Sequence, residues 1–420
     1  MNAILVAVTT AYDVYDVEYS LAELKNLAEA IDITTVFQVS QKLTSPNSKT
    51  YVGKGKLAEI IIAIKAYDAD LIIFNDELTP SQLRNVNEAL QIECIDRSYL
   101  ILKIFEQRAQ TKEASLEIKL VKNLYLLPRV AFLREKESRI GGTSGSLSNK
   151  GAGETQTELD KRHILAEINR LKKELQALKA MKEAQIEKRK RNDVPIVALV
   201  GYTNAGKSST MNSLLEYIGQ EDKQVLEKNQ LFATLSTYNR KISYDKKEFI
   251  LVDTVGFVSK LPHTLVNSFY QTLTEIKHAD YIIHVVDSSS PYINQQINVV
   301  MRVLATLQAD KIPALFLLNK WDETIDTSLH ILGYPSLTFS NKTKLHLKEL
   351  FEDILSHVGP STIRAKLFIP YKDGKYSHIL EETSYIYQKE YQAHGTYYDV
   401  ELPIKQYAMF EAYDLDSMVN

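Results

Sequence analysis

The chain has 420 residues, 45% of them hydrophobic and 25% charged, with a net charge of −3. That length allows two or three domains, each able to bury a core, and the composition excludes wholesale disorder, a fibrous repeat and a uniformly basic nucleic-acid coat. A single cysteine, Cys94, excludes a disulfide framework and a cysteine-based zinc site, and it fits a reducing compartment. The opening Met1–Val8 has no basic leader and soon meets Tyr12-Asp13. No apolar run approaches the roughly 20 residues that span a bilayer, so the chain reads as cytoplasmic, without membrane insertion.

In chain order, Ile4–Val8, Thr34–Val39, Leu71–Phe74 and Ile92–Ile95 are predicted strands. Leu21–Ala30, Leu57–Tyr67 and Ser81–Leu90 are predicted helices, the last opened by Thr79-Pro80. This alternation implies an N-terminal α/β domain over 1–96 with a largely parallel sheet. From Arg97 the pattern turns helical, with Leu116, Leu120, Leu124 and Leu127 at helical spacings and Pro128 ending the run. Gly141–Gly153 carries five of the chain's fifteen glycines and almost no apolar residue, the composition of a loop.

A second helix is predicted over Glu154–Arg191. Ile164, Ile168, Leu171, Leu175 and Leu178 alternate steps of four and three, a coiled-coil seam. Its economical partner is the helix before the loop, giving a helical coiled-coil hairpin over 97–191 with a glycine-rich tip. Between Lys161 and Arg191, eleven Lys/Arg stand against four Glu. Such a run is either a solvated helix face or a contact to nucleic-acid phosphates. The second reading makes Lys188, Arg189, Lys190 and Arg191 candidate RNA-binding residues.

Pro195–Val200 is an apolar strand that meets Gly201-Tyr202-Thr203-Asn204-Ala205-Gly206-Lys207-Ser208, a complete G-x-x-x-x-G-K-S, with a helix predicted over Ser209–Tyr217. Strand, loop and helix are the context that a phosphate-binding loop requires. The backbone N–H groups from Asn204 to Ser209 form an anion nest at a helix N-terminus. Lys207 is expected to bridge the β- and γ-phosphates, and Ser208 to place its hydroxyl on Mg²⁺. Phe249–Gly256 is a second strand ending in D-x-x-G, where Asp253 is expected to hold Mg²⁺ through water and the Gly256 amide to sense the γ-phosphate. Pro313–Leu318 ends in Asn319-Lys320-Trp321-Asp322. The Asp322 carboxylate can accept from guanine N1–H and N2–H₂, a donor pair that adenine lacks. Asn319 is expected to tie this loop to the phosphate loop, and the Lys320 stem to lie against the base.

These three motifs in order predict a P-loop GTPase (G) domain over 194–360, with GTP as substrate and Mg²⁺ as cofactor. A switch threonine belongs between the first two motifs, at Thr234 or alternatively Thr237. Taking Thr234, the catalytic set is Lys207, Thr234 and Gly256, and the metal set is Ser208, Thr234 and Asp253. Phe257 follows Gly256 where many regulatory GTPases carry a glutamine that orients the attacking water. Phenylalanine cannot hydrogen-bond water. Another side chain, a partner or a reorganised loop must do so, with Phe257 simply packing as the plainer alternative. From Arg364 the chain reads as strand (Lys366–Ile369), turn (Asp373-Gly374), helix (Ser377–Glu382) and further strands at Gly395–Val400 and Tyr407–Ala412. That is a small α+β C-terminal domain over 364–420 whose tyrosines are expected to pack. The fold class is α/β and multidomain.

Beyond the nucleotide motifs, nearly the whole chain resembles the HflX family of ribosome-associated GTPases. The resemblance rests on Tyr51-Val52-Gly53-Lys54-Gly55-Lys56, Phe74–Gln82, Asp96-Arg97, Ile104–Ala109 and Gly151-Ala152-Gly153-Glu154-Thr155-Gln156. It continues through Phe232–Leu235, Asp253–Phe257, Leu261–Val266 and His284–Asp287. Three positions depart from the family pattern. Ala152 replaces proline, Ser236-Thr237-Tyr238-Asn239-Arg240 replaces D-P-T-T-R, and Ser340-Asn341 replaces S-A in the last guanine loop. In that loop the Asn341 backbone N–H is a candidate contact to guanine O6. The resemblance implies binding to the large (50S) ribosomal subunit and its RNA, stimulation there of the conversion of GTP to GDP, and a role in splitting or rescuing stalled or idle ribosomes; the chain is expected to be a monomer. A P-loop kinase or ATPase is disfavoured by Asn319-Lys320-Trp321-Asp322. A GTP-sensing RNA-binding adaptor with little hydrolysis of its own is the remaining alternative.

Overall fold

The computed structural model describes residues 1–130, 156–191, 194–220, 238–244, 247–260, 273–324, 331, 333–358 and 362–416. The N-terminal domain alternates β1 (Asn2–Thr9), α1 (Val17–Glu29), β2 (Thr34–Lys42), α2 (Lys54–Tyr67), β3 (Leu71–Phe74), α3 (Pro80–Leu90) and β4 (Glu93–Asp96). Its sheet is parallel in the order β2-β1-β3-β4. β1 from Ala3 to Val8 and all of β3 are apolar because helices cover both faces. Thr79 and Gln82 form a reciprocal capping box that starts α3 at Pro80.

Helix α4 (Arg97–Arg108) does not lie in the hairpin. Leu100, Ile101, Ile104 and Phe105 bury against α1 and β1 in the N-terminal core. The hairpin seam is formed by α5 (Lys112–Leu126) and α6 (Gln156–Arg191). Leu116, Leu120, Leu124 and Leu127 pack against Ile164, Ile168, Leu171, Leu175 and Leu178. The glycine-rich tip predicted over Gly141–Gly153 lies outside the described residues.

The G domain comprises β5 (Ile196–Gly201), α7 (Lys207–Tyr217), β6 (Tyr238–Tyr244), β7 (Lys247–Asp253), β8 (Tyr281–Asp287), α8 (Ile293–Thr306), β9 (Ala314–Asn319), β10 (Ser336–Thr338) and α9 (Leu347–Val358). Its six strands run in the order β10-β9-β8-β5-β7-β6, parallel except for β6. After β7 the chain crosses from one side of β5 to the other. The carboxyl end of β5 is therefore a topological switch point, where open α/β sheets bind ligands.

A third sheet, β11 (Thr362–Pro370), β13 (Gly395–Pro403) and β12 (Tyr385–Gln392), is antiparallel in that order and packs on α10 (Gly374–Thr383) and α11 (Ile404–Phe410). The strand predicted at Tyr407–Ala412 is helical instead. Pro403 starts a turn, and Tyr407 and Phe410, three apart, face the sheet together. Strand β12 went unpredicted because it is an edge strand, exposed along most of its length, and shows no alternation.

The N-terminal and G domains share a buried polar joint. Arg97, 1% exposed, pairs with Glu23 and donates to Asn75 Oδ1 at 3.0 Å and to Ser259 Oγ at 3.2 Å. Glu23 also accepts from Ser259 Oγ at 2.7 Å and from the Tyr202 hydroxyl at 2.5 Å. Tyr202, Val255 and Val258 extend the N-terminal hydrophobic cluster into the G domain. At its margin, Lys260 pairs with Asp76 at 2.6 Å, and the Tyr292 ring packs tilted against the stacked rings of Tyr15 and Tyr19.

Removing one partner of a buried pair leaves the other charge desolvated. Glu23→Ala should therefore destabilise the chain by about 3–5 kcal/mol, whereas Glu23→Leu with Arg97→Met should cost far less. Denaturant midpoints of the three proteins check this, and equal midpoints for Glu23→Ala and the parent would contradict it.

Candidate functional site

Strand β5 delivers Gly201 to the switch point, and Tyr202–Gly206 curl back over its end before α7 begins at Lys207. The turn needs a left-handed residue at its last position. Gly206 has φ of 98°, and a Cβ there would meet Asn319 Nδ2 at 2.2 Å. The Lys207 ammonium is buried and donates to the carbonyls of Gly201 at 3.1 Å and Tyr202 at 2.8 Å. Burial pulls its pKa down to about 8, and Asp253 opposes that shift. His284, buried on the neighbouring strand β8, stays neutral because burial and Lys207 lower its imidazole to about 3.

Strand β7 brings Asp253 to the same end. Ser208 Oγ donates to Asp253 Oδ2 at 2.6 Å. This hydroxyl and carboxylate are hard oxygen donors of the kind Mg²⁺ takes, so the pair fits that ion. Beyond Asp253 the chain stays against the phosphate loop. Phe257 N–H donates to Gly201 O at 3.2 Å, and Thr203 N–H donates to Phe257 O at 2.7 Å. The approach is so close that a Cβ on Gly256 would meet Thr203 Cα at 2.8 Å and Lys207 Nζ at 3.0 Å. The Phe257 ring is buried among Ala198, Val200, Ile276 and Ile282, so its side chain packs in the core. Tyr202, in the phosphate loop, donates to Glu23 and accepts from the Ser259 N–H at 2.7 Å. Burial, reinforced by Glu23, holds its hydroxyl well above the ordinary phenol range.

Strand β9 supplies the third component. Asn319, 2% exposed, donates from Nδ2 to Ala205 O at 2.7 Å and accepts from the Asn341 N–H at 3.2 Å. Lys320, at φ of 61°, reaches Asp287 at 2.6 Å. The Ser340 hydroxyl donates to Asp322 Oδ1 at 2.6 Å and holds that carboxyl below the usual range. The structure thus brings Gly201–Ser209, Asp253, Gly256, Asn319, Lys320, Asp322, Ser340 and Asn341 to one end of one sheet. Thr234 and Thr237 lie outside the described residues, as do the segments Leu231–Leu235 and Leu261–Val266. Lys188, Arg189, Lys190 and Arg191 belong to α6, but their side chains lie outside the description.

Sequence reasoning missed three participants. Asp287 was visible only as part of a family string, and its ion pair with Lys320 depends on two strand ends lying side by side. Glu23, 179 residues from Tyr202, carried no local signal. The Asn341 side chain, where the sequence points only to the backbone N–H, bonds to α7. Chemically, the site offers one buried ammonium, an oxygen pair suited to a divalent cation and a carboxylate held by a serine hydroxyl, a set that fits a nucleoside polyphosphate.

Three family profiles match the chain. They are described as GTP-binding GTPase N-terminal over residues 18–106, GTP-binding GTPase Middle Region over 108–189, and 50S ribosome-binding GTPase over 196–320. GTPase HflX of Caldanaerobacter subterraneus subsp. tengcongensis is 38% identical over 397 residues, covering 94% of this chain and 89% of its own. That of Alkalihalophilus pseudofirmus is 42% identical over 326 residues, covering 77% and 75%. That of Escherichia coli K12 is 33% identical over 361 residues, covering 84% and 83%.

The depressed Lys207 pKa has a consequence for ligand binding. Phosphate stabilises the ammonium, so its pKa rises on binding and a proton is taken up once the free lysine has begun to titrate. Affinity for GDP should be level below about pH 8 and should fall above it, approaching tenfold per pH unit. Fluorescent-GDP titrations between about pH 7 and 8.5, before guanine N1–H ionises appreciably, check this. A flat profile would contradict it.

Proposed function

The chain belongs to the HflX family of ribosome-associated GTPases and hydrolyses GTP, and we propose that it works on the large (50S) ribosomal subunit in splitting or rescuing ribosomes. The observation that carries this reading is the pairing, in one chain, of a complete nucleotide site with a long helix whose Lys161–Arg191 segment holds eleven Lys/Arg against four Glu. The hairpin seam at Ile168, Leu171 and Leu175 already accounts for the stability of that helix, which leaves its charge for another use.

In this reading the amides of Asn204–Ser209 and Lys207 hold the phosphates, and Gly256 presents its N–H to the γ-phosphate. Ser208 and Asp253 would hold Mg²⁺, with Thr234 completing the set. The ion, when bound, neutralises charge building on the β- and γ-oxygens. Asp322 selects guanine, with Asn319, Lys320, Ser340 and Asn341 around it. Phe257 packs in the core, which supports assigning the orientation of water to a group from elsewhere, the ribosome included.

Each phosphate contact to RNA should contribute about 0.7–0.9 to the slope of log affinity against log salt. Lys188→Glu combined with Arg189→Glu should therefore weaken sedimentation with purified large subunits and flatten its salt dependence, while leaving GDP binding intact. Circular dichroism should show that the helix persists in this variant. Unchanged affinity and slope in the folded variant would contradict RNA contact by these residues.

A further inference from the structure

Asn341 stands where the family resemblance leads one to expect alanine, and its carboxamide is engaged at both ends. Nδ2 donates to Gly206 O at 3.3 Å and to Thr210 Oγ1 at 3.2 Å, and Oδ1 accepts from Ser213 Oγ at 3.0 Å. All three partners lie in the phosphate loop or the first two turns of α7. Thr210 is fully buried, and its hydroxyl donates to Gly206 O at 2.8 Å. From the same loop, Lys344 reaches Ser213 Oγ at 3.1 Å and pairs with Glu216 at 2.7 Å. On the other side, the Ser340 hydroxyl holds Asp322 and accepts from the Thr343 N–H at 3.1 Å. A cavity of about 320 Å³ opens beside these groups, with Ser209, Asn212, Ser213, Asn341 and Lys342 in its walls.

From these contacts we infer that Asn341 is a positioning residue for base recognition, whose side chain staples the base loop to the phosphate loop and α7. The inference rests on the proposed assignment of Asp322 to guanine. The two halves of a nucleotide site must stand at a fixed separation, because base and phosphates are joined through the ribose. Asn319 sets that separation through Ala205, and Asn341 adds a second tie through Gly206, Thr210 and Ser213. A loop already ordered before the nucleotide arrives spends less binding energy on ordering, and the gain is seen mainly as slower dissociation. Alanine at 341 keeps the backbone N–H and loses every side-chain bond.

Asn341→Ala should raise the Kd for GDP on the order of tenfold, mostly through faster release. Thr210→Val removes one of the three staple bonds together with its own bond to Gly206 O, so its effect should be smaller in the Asn341→Ala background than in the parent. Stopped-flow release of fluorescent GDP reads both effects, with thermal melts run in parallel. A lowered melting temperature with unchanged GDP release, fully additive effects of the two substitutions, or tighter GDP binding in Asn341→Ala would each overturn the inference. Asp322→Asn separates it from the reading beneath it. If that variant exchanges GDP for xanthosine diphosphate while Asn341→Ala changes nothing, the base site stands and the staple falls. If Asp322→Asn keeps parental GDP affinity and gains no xanthine binding, the base-loop assignment fails and takes the staple with it.

Discussion

A lysine ammonium cannot be buried without oxygen around it, and the nucleotide end of the G domain is arranged by that requirement. Lys207 finds its oxygens in the Gly201 and Tyr202 carbonyls, which the phosphate loop turns inward as it bends back over β5. The bend needs glycine at 206, where Asn319 crowds the backbone, and the approach of the Asp253–Phe257 segment needs glycine at 256. Ser208 and Asp253 then meet at hydrogen-bond distance. The charge is held ready but under-solvated, which lowers its pKa and favours an incoming phosphate.

The same loop passes this constraint to the rest of the molecule. Tyr202 leaves the phosphate loop on the far side and ends on Glu23, where Arg97 and Ser259 also meet. One carboxylate of the N-terminal domain therefore touches the phosphate loop and the segment following Gly256 at once. α4, which carries Arg97, packs in the N-terminal core next to α5, the first helix of the hairpin. Nucleotide loop, N-terminal core and basic hairpin are thus successive neighbours, so the domains differ in chemistry but share a wall.

The elements that organise this end of the fold were legible because they are locally encoded. The apolar runs at β5, β7 and β9 each stop at a polar motif, since a central parallel strand is buried on both faces and its functional residues begin where the sheet ends. The hairpin seam was legible for the same reason, its apolar spacing being a property of one helix at a time. What was not legible depends on residues far apart in the chain. The ion pair of Glu23 with Arg97, the tie of Lys320 to Asp287 and the Asn341 staple exist only once separate elements are side by side. The C-terminal sheet was misjudged where one strand is an edge without alternation. The Tyr407–Ala412 expectation fails because the Tyr407–Phe410 spacing is helical there.

Phe257 is packed in the core, and the proposed function has GTP turnover depend on the ribosome, with the water-orienting group supplied from elsewhere. The most direct measurement is GTP turnover by the purified chain at fixed Mg²⁺, alone and with purified large or small ribosomal subunits, with Lys207→Ala as the control for contaminating activity. Slow turnover alone, a marked acceleration by large subunits only, and none in Lys207→Ala are the expected results. Equal turnover with and without large subunits, at concentrations where the chain sediments with them, would contradict that dependence.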